Sequence, residues 1–180
     1  MAKGAGLPMF DPTVFDNLKV AIENQVYDLD TIAGQVLVTH RIDRMELAVM
    51  ARIFAIQFTL VNGAGITAEI RLEASLKDIA AEVLEQSGEK PGCTLRLRFY
   101  MPVQDANETC KAIEQQLEAL WQPELPPTQT VSFGYGEQPV IYNNEIELHF
   151  NRKINEDQME DLPELIDHML QSLEALDKLV

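Results

Sequence analysis

Residues 93–101 read Cys-Thr-Leu-Arg-Leu-Arg-Phe-Tyr-Met. The alternation is unbroken: Cys93, Leu95, Leu97, Phe99 and Met101 share one face, and Thr94, Arg96, Arg98 and Tyr100 share the other. Successive side chains of a strand point to opposite sides of its sheet, so this spacing predicts a β-strand that is apolar on one side and charged on the other. That two-sidedness constrains everything around it. The apolar side must be covered, while the arginine side must meet water or opposite charge.

The same alternation recurs. Phe54, Ile56, Phe58 and Leu60 form one apolar row, and Ile66, Ala68, Ile70 and Leu72 form another. Between them Asn62-Gly63-Ala64-Gly65 supplies turn chemistry, which predicts a β-hairpin. Opposite the second row stand Thr67, Glu69, Arg71 and Glu73. Farther along, Ile146, Leu148 and Phe150 alternate with Glu145, Glu147, His149 and Asn151, and residues 131–133 add a strand across the Gly134-Tyr135-Gly136 turn. Residues 140–150 make up that later strand.

Three of these strands lead into helices with start signals. Ser75 and Asp78 form a capping box ahead of Leu76, Ile79, Ala80, Val83 and Leu84, and Gly88 ends the run. Asp105 and Glu108 do the same for Cys110, Ile113, Leu117 and Leu120, stopped by Pro123. Asp161 and Glu164 open a stripe of Leu162, Leu165, Ile166, Met169, Leu170, Leu173 and Leu176, with Pro163 in a first turn whose amides need no partner. The units differ in length and connection, so they are no solenoid. The expected architecture is α+β: a two-layer α/β sandwich in which amphipathic helices pack on one face of a single twisted, mainly antiparallel or mixed sheet. All 180 residues are expected to form one domain. Residues 1–10 read as flexible or tag-derived, and residues 122–130, with three prolines, as a surface connector.

The N-terminal third admits alternatives. Asp11-Pro12 ahead of Val14, Phe15, Leu18 and Ile22 fits a helix start, while Leu18, Val20 and Ile22 also alternate as a strand does. Val36 and Val38 suggest a short strand within residues 34–40. Asp43 then reads as the cap of a helical turn through Met45, Leu47, Val49 and Met50, or residues 45–61 run as one long strand.

Charge narrows the function classes. Fourteen Lys and Arg face 29 Asp and Glu, a net charge of −15, with 46% apolar residues. A disordered acidic chain would be far less apolar. Residues 1–101 carry a net −3 and residues 102–180 a net −12, so the acidity belongs to the C-terminal part. Such a surface repels phosphate and anionic lipid, which argues against nucleic acid and membrane surfaces as partners. The longest uncharged run, residues 53–68, is interrupted by Gln57, Asn62, Gly63 and Gly65 and is too short to span a bilayer. No signal-peptide pattern opens the sequence. Cys93 and Cys110 fall in no metal or redox spacing and read as reduced core residues, which suits a cytoplasmic setting.

Catalytic signatures are missing: the sequence holds no phosphate-binding glycine loop, no nucleophile elbow, and no metal-binding spacing of His40, His149 and His168. No cofactor is expected. Trp121 reads as a core-packing residue that pins the connector, and Met45, Met50, Met101, Met159 and Met169 read as core filler. The one constellation of interest is the charged sheet face: Glu69, Arg71, Glu73, Arg96, Arg98, Tyr100, Glu145, Glu147 and His149. Strands bearing Arg96 and Arg98 beside strands bearing glutamates would exchange cross-strand ion pairs of about 0.2–1 kcal/mol each. The same face could bind a partner or a second copy, or hold a small anion at Arg96, Arg98 and Tyr100.

The leading expectation is a non-enzymatic protein-interaction module, with a homodimer as one form. It would use the sheet face or the acidic C-terminal helices. An anion-binding protein or enzyme is the alternative. In size and charge the chain also resembles secretion-type chaperones, which implies capture of a basic partner.

Overall fold

The alternating segments become the middle of a six-stranded sheet. The structure is a computed structural model that describes residues 13–180 apart from Gln86 and Glu89. Its strands are β1 (Val36–Glu46), β2 (Ala51–Leu60), β3 (Thr67–Ala74), β4 (Thr94–Val103), β5 (Thr128–Ser132) and β6 (Tyr142–His149); its helices are α1 (Val14–Thr31), α2 (Leu76–Val83), α3 (Ala106–Trp121) and α4 (Leu162–Asp177). The spatial order is β1-β2-β3-β4-β6-β5. Every neighbouring pair is antiparallel, so the sheet is not mixed.

Register explains the core. Ile70 lies opposite Ile56 and Leu97, and Leu97 opposite Leu148, so one row of apolar side chains crosses β2, β3, β4 and β6. These join Phe15, Leu18, Ile22 and Val26 of α1, Ile113 and Leu117 of α3, and Leu162, Ile166, Met169, Leu173 and Leu176 of α4 in one buried cluster. Burying each such side chain is worth about 1.5–3 kcal/mol. Met101 and Met169 belong to this core and Met159 packs against it, whereas Met45 and Met50 are exposed near the β1–β2 turn. Among the described residues no helix is long and apolar enough to cross a membrane.

Several local features differ from the sequence expectation, and others match it. The β2–β3 hairpin forms around residues 61–66, with Thr59 opposite Thr67. The start of α1 is a helix and not a strand, but Thr13 caps it, exchanging hydrogen bonds with Asp16; the expected Asp11-Pro12 start and residues 1–10 lie outside the described residues. Asp43 caps nothing. It stands within β1 opposite Phe54, because residues 47–50 make a tight turn, with Met50 at φ 53°, that folds two long strands back on each other.

Ser75 and Asp78 do form the reciprocal box that starts α2. The stripe on α2 is buried only in part: Ile79 packs against the core and Ala81 beside it is buried, while Leu76, Val83 and Leu84 are exposed, because this short helix lies at the periphery of the sandwich. Asp105 caps α3 by accepting from the amides of Asn107 and Glu108, without a returning bond from Glu108. No box forms at Asp161. A short 3-10 helix over Glu156–Asp161 runs straight into α4, so Asp161 is already helical; Asn155 and Gln158 form the box one turn earlier. The connector is shorter than expected, since Thr128, Gln129 and Thr130 already pair with β6. Phe133 and residues 140–141 fall outside the strands.

Leu173 has no exposed surface and Leu76 is 51% exposed. Replacing Leu173 by Ala is expected to cost about 2–5 kcal/mol of unfolding free energy, and replacing Leu76 by Ala less than about 0.5 kcal/mol, both measured by urea denaturation.

Candidate functional site

All nine residues of the predicted constellation meet on the solvent face of β3, β4 and β6. Glu69 and Glu147 flank Arg98 on either side, and Tyr100 faces Glu145 across β6. Arg96 is placed differently from the expectation: its direct neighbours are Arg71 and His149, both basic types. Like charges directly opposite destabilise a sheet, so this position needs diagonal partners.

Glu147 supplies them. Its carboxylate accepts from Arg96 Nη1 at 2.7 Å and from Arg98 Nε at 2.5 Å, and His149 Nδ1 stands 3.2 Å away. Glu73 lies 3.8 Å from Arg96 Nε and accepts from Arg71 Nε at 2.5 Å. Glu145 is 3.5 Å from Arg98 Nε. Glu69, 3% exposed, accepts from Gln57 Nε2 at 2.6 Å and lies 3.7 Å from Arg98 Nη1. Thr128 of β5 reaches His149 Nε2 at 2.9 Å. The lattice thus spans five of the six strands, from Gln57 on β2 to Thr128 on β5.

The titration chemistry is that of an ion-paired network in which, among the described residues, Glu69 Oε1 and Arg96 Nε are buried without a hydrogen bond of their own. Burial pushes the Glu147 carboxyl upward, but hydrogen bonds and charges from Arg96 and Arg98 outweigh it and hold its pKa below the ordinary 4.5. Burial lifts the Tyr100 phenol, with the nearby carboxylates Glu69 and Glu145 adding to the rise. The arginines already hold carboxylates, so the cationic groups expected to take a small anion are occupied. Cys93 is buried, and burial together with Asp78 and Glu82 pushes its thiol up to about 12, which makes it an inert core group. Cys110 is half-buried and unpaired. Among the described residues no cluster of His, Cys, Asp or Glu has the arrangement to hold a metal ion.

Trp121 does pin its surroundings: Nε1 donates to Ser172 Oγ at 2.8 Å, and the ring contacts His168 and Phe150. A cleft of about 310 Å³ opens beside it, lined by Pro123, Leu148, Phe150 and Arg152 among others.

A second surface was not singled out by the sequence. Two adjoining hollows, of about 460 and 520 Å³, run between the C-terminal end of α1, the end of β2 and the outer side of α4, sharing Gln35, Asp167 and Leu170. Their apolar lining includes Leu29, Ile32, Leu60, Val61, Ile166 and Leu170; Ile32 is 80% exposed. Among the described residues, the charged ones lining them are Asp28, Asp167 and Glu174, all acidic. Asp167 accepts from Gln171 at 2.7 Å, while Asp28 and Glu174 have no ion-pair partner among the described residues. The last turn of α1 has no basic residue to offset the negative end of its helix dipole. The C-terminal acid excess and the stripe of α4 hinted at this groove. Its other wall comes from α1 and β2, far away in sequence, and spacing alone could not reveal the apposition.

The fold and these surfaces define a two-layer α+β sandwich with an ion-paired open face and an acidic groove beside α4. No protein-family model matches the chain, and neither a curated protein nor a solved structure matches it.

A carboxylate whose pKa is depressed by folding contributes stability above its unfolded pKa and loses it as pH falls through the folded value. Glu147, Asp16, Asp43 and Asp78 are all lowered in this way. Stability is therefore expected to fall from about pH 4.5 downward. Glu147→Gln should cost about 3 kcal/mol at pH 7, by leaving two arginines without their shared anion, and much less at pH 3, as read from chemical denaturation at each pH.

Proposed function

We propose that this chain is a non-enzymatic interaction module that holds a basic, amphipathic segment of another protein in the groove between α1 and α4. The observation that carries the reading is the contrast between two charged surfaces. On the sheet face Glu73, Glu145 and Glu147 lie beside cationic side chains, with Glu69 held by Gln57 and close to Arg98. In the groove Asp28 and Glu174 are unmatched among the described residues and stand beside exposed apolar side chains. An apolar floor with a one-sign rim selects a segment that carries apolar anchors on one side and lysine or arginine on the other.

The groove follows α4 from Pro163 to Glu174, about 18 Å at 1.5 Å per residue, which suits about three turns of helix. A cytoplasmic setting fits the two unpaired cysteines. Charge at the rim would steer encounter and the apolar floor would hold the complex, as in other helix-in-groove recognition.

The test uses a synthetic peptide of about five helical turns with leucines at helical spacing and lysines elsewhere, and a scrambled peptide of the same composition. The patterned peptide is expected to bind more tightly than the scrambled one, and to weaken about tenfold toward the D28N/D167N/E174Q variant, consistent with three surface charges worth about 0.2–1 kcal/mol each. Equal affinity for both peptides, or no loss in the triple variant, would overturn the reading.

A further inference from the structure

The two edges of the sheet are built in opposite ways. An edge strand exposes a row of unpaired backbone N–H and C=O groups that any extended chain can match, and proteins blunt such edges with charges, bulges or covers. Edge strand β1 is blunted: a bulge interrupts its register between Val38 and His40, and Arg41, Asp43, Arg44 and Glu46 line it. Edge strand β5 has neither device. It reads Thr-Gln-Thr-Val-Ser, pairs regularly with β6 and, among the described residues, on that side only, and four of its five residues are exposed.

Charge distribution marks this edge out further. Residues 125–136 contain no Asp, Glu, Lys or Arg, although they lie in the part of the chain that carries a net −12. Apolar surface gathers around the same segment: Val131 is 37% exposed, Phe133 59%, and Tyr135 wholly exposed. Two copies of a chain with net charge −15 repel each other over most of their surface within about 8–10 Å, the screening length at physiological salt. The β5 segment itself adds no charge to that repulsion; the carboxylates of Glu145 and Glu147 stand one strand back, on β6.

We propose that β5 pairs with β5 of a second copy of this chain, antiparallel about a two-fold axis through Thr130, joining the two sheets into one. The sequence is compatible with its own reversal in this register. Thr130 meets Thr130 of the second copy, Gln129 meets Val131, and Thr128 meets Ser132. One step beyond the strand, Phe133 comes beside Pro127. No charge faces a like charge within the paired strands. Two-fold pairing of this kind closes the assembly at two copies, since it consumes the one unblunted edge of each chain. This pairing is independent of the α1–α4 groove.

The experiment is sedimentation equilibrium of the full chain and two variants, from about 5 to about 500 µM, the range in which weak protein contacts are read. Wild type is expected to reach twice the chain mass within this range, and more readily as salt screens the repulsion between acidic copies, the reverse of the salt effect on binding a basic peptide. Thr130→Lys places its ammonium beside Glu145 within one copy, so the fold is kept, but sets two cations face to face at the axis. Thr130→Glu sets two anions face to face at the axis; within one copy it also stands opposite Glu145, so its fold is checked by circular dichroism before its mass is read.

Each variant alone is expected to remain monomeric, and an equimolar mixture of the two to recover the dimer mass. Hydrogen exchange on wild type gives a second reading that needs no variant: the amides of residues 128–132 that point away from β6 should become protected as concentration rises. A wild type that stays monomeric at the top of the concentration range overturns the proposal, as does a dimer that forms without protecting β5 or a Thr130→Lys variant that dimerises like wild type. Failure of the mixture to recover the dimer overturns the two-fold register at Thr130.

Discussion

Everything in this structure depends on a sheet that buries one side only. Leu95, Leu97, Phe99 and Met101 of β4 have to be covered, and α1, α3 and α4 supply the apolar stripes that enter the same cluster. Arg96 and Arg98, fixed on the other side by the same alternation, cannot follow them into the core. The charged face is therefore a consequence of the core, and its glutamates answer a need that the core creates. Glu147 answers most of it, by holding both arginines at once while His149 and Thr128 extend the network to the edge of the sheet.

The charges of this protein thus fall into two kinds. Those on the sheet face are paired and set the strand register, which is a structural task. Those on α4 and the end of α1 are largely unpaired among the described residues and border apolar surface. A network whose arginines are already matched has little to offer an anion, whereas an unmatched carboxylate beside an exposed isoleucine has much to offer a lysine-bearing segment. Under the proposed function, the negative charge of the chain acts where it is left unanswered, not where it is paired.

Period-two alternation was legible wherever a strand buried one face, so β2, β3, β4 and β6 and all nine residues of the charged face could be read from the sequence. The helix boundaries were less legible, because Asp105 and Asp161 promise caps that depend on backbone geometry before the helix; at Asp161 the chain is already helical and the side chain has no free amide to accept. The β1–β2 hairpin was missed because its turn, Leu-Ala-Val-Met, carries none of the Gly, Asn or Pro that usually marks one. Burial on α2 was not legible because a helical stripe tells which residues share a side and not whether a neighbour is there to cover it. Only the α4 wall of the groove was legible, because the facing wall comes from α1 and the end of β2, far away in sequence.

Under the proposed function, recognition falls to the unpaired acidic groove and not to the paired sheet face. The most direct measurement of that assignment is a map of amide chemical shifts as the lysine–leucine amphipathic peptide is titrated into the isotopically labelled protein. The shifts are predicted to gather at Asp28, Ile32, Gln35, Asp167, Leu170 and Glu174, with Arg96, Arg98 and Glu147 unmoved. Shifts centred on β3, β4 and β6 with a silent α4 would contradict it.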